Sequence, residues 1–517
     1  MSRPPETVGP VSNVTLTLAR ARLGVWPLVF TVMAAAAPLT VVAGGATAGF
    51  AVTGITGIPL GYVVVAVILA VFAVGYVAMS RKVLNAGAFY TYVTHGLGRA
   101  PGVAAAFVAV AAYALMQIGL FGGFGVVARS LIVDQLGVSA PWWVWALVGW
   151  VLIAVLGGRR IDLNGRVLAP LLIGEIGVAV VFAAVQVAHP AHGHLSVTTL
   201  SPGNLFTTGF GAAVATAVAG FVGFEGTAVF SEESKDPHKT VARATYLALA
   251  VIGLLYASCA WAMSVATGPD QIVRRSTAEG SELIFNVSGP YLPSLVITLG
   301  RLLFTTSLFA ALLAFHNTIA RYLFALGREG VVPQVLGRTS PATRAPIGGS
   351  MTQSVLAAAG IAVYVFNGWD PFTRMFFWLT VLGGVGVLTL MTATSIAVFA
   401  FFIRIGHRDG VGAGRGLLAP GVSALALGAV LVVTLQQSAI LLGLDPASPL
   451  RWQLPGIFAV AALAGIAWAL LLRAWRPGVY AAIGLGANNA HAAAIPGPRT
   501  NAATDTSAGY GVGVRPR

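Results

Sequence analysis

Apolar runs long enough to cross a bilayer recur along almost the whole chain, leaving little sequence from which to build a water-soluble core. A bilayer core of about 30 Å needs about 20 helical residues, and twelve runs approach or meet that length. They fall at about 25–50, 57–79, 101–133, 141–158, 167–188, 207–231, 241–267, 292–326, 350–367, 372–403, 417–443 and 455–472. Only 9% of the 517 residues are charged, against roughly 25% in a soluble domain. The expected class is an all-α polytopic membrane protein with about twelve transmembrane helices. A leading tail (1–22) precedes the membrane domain (23–473). The trailing segment (474–517) is rich in Gly, Ala, Asn and Pro, lacks apolar periodicity, and is expected to be a disordered tail.

The net charge of +14 would suit nucleic acid if it were clustered on one soluble face. Its distribution excludes that. With both termini placed in the cytoplasm, 24 of the 30 Lys and Arg residues fall on the cytoplasmic side. This is the bias that sets membrane orientation. Leu23 to Ala37 followed by small residues imitates a secretory signal, but the apolar run continues to about Val52, beyond the 7–15 residues of a signal core. The first span is therefore expected to be retained. Cys259 stands alone inside the seventh run, which excludes a disulfide framework and a cysteine metal site. His189, His192 and His194 read as solvated loop, and no metal site is expected. Asp270, Glu279 and Glu282, in the long outer loop at about 268–291, have no partner signature, and no nucleophile or metal motif marks an enzyme.

Two runs carry helix breakers at mid-membrane. In MAAAAPLTVVAGG, Pro38 lacks an N–H and crowds the Ala34 carbonyl, disfavouring helix at Ala37. In AGFVGFEG, Gly220, Gly223 and Gly226 weaken the helix around Glu225. Irregular backbone at this depth is tolerated only under protein cover or beside a water-filled cavity. Interrupted helices at corresponding positions of two halves point to a transporter's central site. Spans one to five (about 25–188) and six to ten (about 207–403) would then form a 5+5 inverted repeat, with two extra helices at about 417–472.

Three stretches resemble the amino acid-polyamine-organocation permease superfamily, whose fold is the LeuT-type inverted repeat. They are FVGFE followed by SEESKDPHKTVARAT, NAGAFYTYVTHGLGR (Asn85 to Arg99), and SLFAALLAFHNTIARYLFALGREGVVP (Ser307 to Pro333). The last holds Arg321, Arg328-Glu329-Gly330 and Pro333 in the order the superfamily shows. Two departures stand out: Ala36-Ala37-Pro38-Leu39 replaces a Gly-x-Gly, and Ala242 replaces a proline. The resemblance covers about residues 23–475. It implies a secondary transporter of amino acids, driven by a proton or sodium gradient or working as an exchanger, without a bound cofactor. The alternatives are a carrier of polyamines or other organic cations, or a sensor or channel of the same fold. Partners would be the small-molecule substrate and the lipid bilayer; oligomeric state is left open.

The resemblance places the substrate between the two breaks, at Ala36, Ala37, Pro38, Leu39, Thr40 and Val41 and at Gly220, Phe221, Val222, Gly223, Phe224 and Glu225. Amides around Leu39 to Val41 would hold a carboxylate, and carbonyls around Gly220 to Gly223 an ammonium. Phe221 and Phe224 would act either as lid or as packing. Glu175, Glu225 and Arg301 are the ionisable residues deep in spans, where charge is costly and commonly functional. Glu225 reads as a gate or proton-coupling acid, or as a protonated acid bonded to a neighbouring helix. Glu175 and Arg301 reach similar depth and would pair, unless Arg301 extends outward and Glu175 meets span one alone. Thr306 and Ser307 fall where span-eight hydroxyls help hold sodium in some relatives, and would otherwise bond their own helix. His316 and Asn317 read as structural. Glu232, Glu233, Lys235, Lys239 and Arg243 form the expected inner gate.

Overall fold

The computed structural model describes residues 23–83, 87–159, 161–405 and 411–486. Residues 1–22, Asn85 and 487–517 lie outside them, and with them the leading tail and most of the expected trailing tail. Among the described residues, eleven helices are long and apolar enough to span a membrane. A twelfth, Trp142–Gly157, has 16 residues, or about 24 Å at 1.5 Å per residue. It occupies the fourth expected position. Trp142, Trp143 and Trp145 crowd its first turn, where aromatic residues favour the membrane interface.

Burial sorts the spans into centre and periphery. The most apolar windows of Val25–Thr53 and Phe210–Glu233 are 78% and 94% buried, while that of Leu450–Trp475 is 17% buried. The first and sixth spans therefore lie inside the bundle, and the last presents Val460 and Leu463 outward, as a lipid-facing helix must. The third and eighth spans, Arg99–Leu136 and Ser294–Arg328, run 38 and 35 residues. Both exceed a bilayer core and carry side chains from the centre to the bundle ends.

Local chemistry starts and stops these helices where they are needed. Asp236 caps the seventh span by accepting from the Lys239 amide at 3.2 Å, with Pro237 at the first helical position. Asp370 and Pro371 repeat the device at the tenth, the carboxylate accepting from the Phe372 amide at 3.1 Å. The loop helix Ile272–Glu279 lies against Thr47–Thr53, covering that end of the first span.

The ordered chain continues past the expected boundary at 473. Helix Pro477–Ala482 and the turn after it fold back beneath the bundle. The Gly484 and Gly486 amides donate to the buried Glu329 carboxylate at 2.8 and 3.0 Å, and Arg99 donates to the Ala481 carbonyl at 3.0 Å. Tyr90 also donates to Glu329. These bonds order a small-residue segment that has little apolar surface to bury.

Candidate functional site

Both expected breaks are present, and they touch. The first half of span one ends at Ala36, Ala37 takes the left-handed conformation (φ 45°, ψ 71°), and Pro38 opens the next turn. The Ala36 carbonyl, left without a helical donor, accepts from the Tyr256 hydroxyl at 2.7 Å. In span six the helix stops at Phe221, Val222 is extended (ψ 131°), and Gly223 sits at φ 120° before a tight turn over Phe224–Thr227. Of the three glycines only Gly223 needs that conformation. A Cβ there would lie 2.6 Å from the Ala35 Cβ. Gly220 instead makes room for Val41, whose Cγ1 would be 2.8 Å from an added Cβ.

Gly223→Ala is accordingly expected to destabilise by at least about 1–3 kcal/mol from backbone strain alone, with the Ala35 clash added. A thermal melt of the purified protein and an uptake assay check this; an unchanged melt would contradict the contact between the breaks.

Between the breaks lies a cavity of about 70 Å³, lined by spans one, three, six, eight and ten. Val41, Met116, Leu120, Phe315, Phe376 and Val381 form most of its apolar wall. Ala36, Ala37, Thr40, Val41, Gly220 and Val222 of the expected site line it. Phe221 and Phe224 are fully buried and pack instead on Tyr62 and Tyr256 and on Phe72. They are packing residues in this conformation rather than a lid.

Glu225 is buried and saturated. One carboxylate oxygen accepts from the Tyr113 hydroxyl at 2.7 Å, the other from the Gly223 amide at 2.9 Å, and its backbone carbonyl accepts from Tyr76 at 2.8 Å. The acid thus ties the sixth-span break to spans two and three. Glu175 differs: it is 1% exposed and neither carboxylate oxygen has a hydrogen-bond partner. The Leu39 amide and the Ser307 hydroxyl lie beside it without meeting hydrogen-bond geometry. Ser307 Oγ accepts from both the amide and the hydroxyl of Thr40, at 3.2 and 3.1 Å. Its own proton is therefore free to turn toward Glu175. The acid stands at the N-terminal, dipole-positive end of the second half of span one.

This arrangement alters the expected carboxylate site. The Val41 amide closes on the Ala37 carbonyl at 3.0 Å and the Thr40 amide is held by Ser307. Leu39 retains the amide that points toward Glu175.

A profile described as amino acid permease matches residues 23–467. The chain belongs to the amino acid permease family. The permease is 23% identical over 406 residues to the low-affinity putrescine importer PlaP of Escherichia coli (strain K12), covering 76% of this chain and 84% of that one. It is 24% identical over 331 residues to the branched-chain amino acid permease BcaP of Lactococcus lactis subsp. cremoris (strain MG1363), covering 60% and 69%. Its fold is similar to that of a Na+-coupled sialic acid symporter in a substrate-bound, outward-open state, with a TM-score of 0.51, 11% identity, and 80% and 89% coverage. The permease is a multi-pass secondary transporter of the cell membrane, and not an enzyme.

At the bundle end that holds Leu23 and Gly486, two ion pairs join the turn after the sixth span to the eighth span. Arg321 forks the Glu233 carboxylate at 2.6 and 3.2 Å, both side chains 3% exposed, and Arg328 forks Glu232 at 2.8 and 3.0 Å. Arg321 also covers the Phe230 ring at 4.6 Å. The Leu23 amide donates to the Glu233 carbonyl, and the Leu23 carbonyl accepts from Lys235. The expected gate is corrected in its bases. Lys235, Lys239 and Arg243 are exposed, Lys239 approaching Asp236 at 4.0 Å, and the acids are met by the eighth span instead.

The expected Glu175–Arg301 pair is not formed. Arg301 instead meets Glu282 of the loop at about 268–291 at 2.8 Å and Asp134 at the end of the third span at 4.0 Å, acids that are themselves exposed. Thr306 bonds the Leu303 carbonyl of its own helix at 3.0 Å and stays off the site, whereas Ser307 joins it. His316 packs through Ser350 of the ninth span at 2.8 Å. Tyr113 and Tyr256 carry no local sequence pattern that marks them, and the superfamily-like stretch that holds Arg321 and Arg328 does not show which acids they meet.

Proposed function

We propose that this permease carries amino acids across the cell membrane by alternating access, with the end that holds the Arg321–Glu233 and Arg328–Glu232 pairs facing the cytoplasm. The observation that carries the reading is the meeting of two broken spans at one buried cavity, with an acid at each break. The helix ends at these breaks carry partial charges that suit a zwitterion once their bonds to Tyr256, Ser307 and Glu225 are exchanged for bonds to the substrate. Two five-span inverted repeats would account for the equivalent placing of the breaks. The 24 Lys and Arg residues assigned to one side support the orientation.

In this reading Glu225 is the gate acid and Glu175 the coupling acid. A buried carboxylate without a bonded donor is poised to take up a proton or a small cation, and the helix N-terminus beside it opposes that uptake enough to keep it reversible. Either would bind as the helix halves close around it, so that the gradient drives the cycle. Glu175→Gln is expected to reduce gradient-driven accumulation by about 5- to 150-fold, the span of ordinary coupling energies, while exchange without a gradient persists. Uptake and counterflow in proteoliposomes separate the two; equal loss of both would remove the coupling role. Carriage of a diamine is the second reading, favoured by the likeness to a putrescine importer.

A further inference from the structure

We infer that the side-chain subsite of the central cavity selects a small apolar amino acid and rejects diamines and amino acids with charged side chains. The inference rests on the permease reading above and deepens it. No Asp, Glu, Lys, Arg, His, Asn or Gln lines the cavity among the described residues. Three threonines do, and each hydroxyl proton is already committed. Thr40 donates to Ser307 at 3.1 Å, Thr216 to the Ala212 carbonyl at 2.9 Å, and Thr380 to the Phe376 carbonyl at 2.6 Å.

A distal carboxylate or amide would therefore meet no free side-chain donor. A distal ammonium or guanidinium would meet hydroxyl lone pairs but no carboxylate. Glu225 lies outside the lining, its carboxylate oxygens held by Tyr113 and Gly223. Glu175 stands behind Thr40 and Ser307, likewise off the lining. Burying an unpaired charge in such a wall is heavily disfavoured. Met116, Leu120, Phe315, Phe376 and Val381 offer instead a surface that an aliphatic side chain can fill. The cavity is small, about 70 Å³, which favours a short aliphatic side chain over a long one.

The test is uptake by the full-length protein in proteoliposomes preloaded with unlabelled compound, using labelled L-alanine, L-valine, L-leucine, L-arginine, L-glutamate and putrescine. Saturable uptake of one or more of the aliphatic three is expected, with arginine, glutamate and putrescine each leaving it unchanged at 100-fold excess. A second arm places a carboxylate in the wall with Val381→Asp. Inhibition of residual aliphatic uptake by arginine or putrescine should strengthen at least tenfold in that variant. If the variant does not fold, the wild-type competition decides alone. Saturable uptake of arginine, glutamate or putrescine by the wild type overturns the subsite inference and leaves the permease reading standing. Uptake of none of the six overturns the amino acid reading itself, and the inference with it.

Discussion

Glu225→Ala is expected to abolish transport and to lower thermal stability, because it strips the acceptor from two buried donors at once. The Tyr113 hydroxyl at 2.7 Å and the Gly223 amide at 2.9 Å would both lose their partner. An unsatisfied buried donor costs about 1–3 kcal/mol, so the pair amounts to a severe loss at the sixth-span break. Glu225→Gln separates structure from charge. The amide has one acceptor oxygen, which can stay on the Gly223 N–H, while its NH₂ faces a tyrosine hydroxyl able to turn and accept. The fold should survive. Charge-assisted bonds of about 1.5–3 kcal/mol become neutral bonds of about 0.5–1.5 kcal/mol, and uptake should fall roughly tenfold with a flattened pH dependence. Tyr113→Phe, which removes one donor and leaves the acid, should fall between the wild type and Glu225→Ala. Wild-type uptake with an unchanged pH profile in Glu225→Gln would remove the acid from the gating and coupling steps.

Arg321→Ala is expected to cost about 3–5 kcal/mol, the range for breaking a buried ion pair from one side. Glu233, 3% exposed, would keep its charge without the guanidinium that forks it. The lower melt should be accompanied by a permease that closes poorly at this end, since the same arginine bonds span eight to the turn after span six. The reversed pair, Arg321→Glu with Glu233→Arg, should recover part of the loss. The Arg328–Glu232 pair, at 4% and 12% exposure, has more access to water, and Arg328→Ala should therefore cost less. Equal melts for wild type and Arg321→Ala, measured on protein purified in detergent, would refute the latch.

The breaks were legible because their causes are local. Pro38 and Gly223 act on the backbone within a turn of themselves, and both interrupt the spans where the residue chemistry predicts. The acids were legible too, since a carboxylate in an apolar run is conspicuous at any depth. Their partners were not. Glu225 meets a tyrosine 112 residues away and Glu233 an arginine 88 residues away, while the lysines beside Glu233 in sequence point to solvent. Depth arithmetic failed for Glu175 and Arg301 because it fixes height along the membrane normal and not direction around the helix axis. Arg301 turns to Glu282 of the loop before span eight, and Glu175 to the first span. The docking of 477–486 is not legible in the sequence for a similar reason: Gly484 and Gly486 contribute backbone amides, which no composition marks, to a carboxylate 155 and 157 residues away.

Concentrative uptake tests the central claim most directly. Purified permease in proteoliposomes should accumulate a labelled aliphatic amino acid above its external concentration when an inward proton or sodium gradient is imposed. Accumulation should collapse when the gradient is dissipated, and Glu175→Gln should equilibrate the substrate without concentrating it. A wild-type protein that only equilibrates the amino acid under every gradient, or whose accumulation is untouched by Glu175→Gln, would contradict the account.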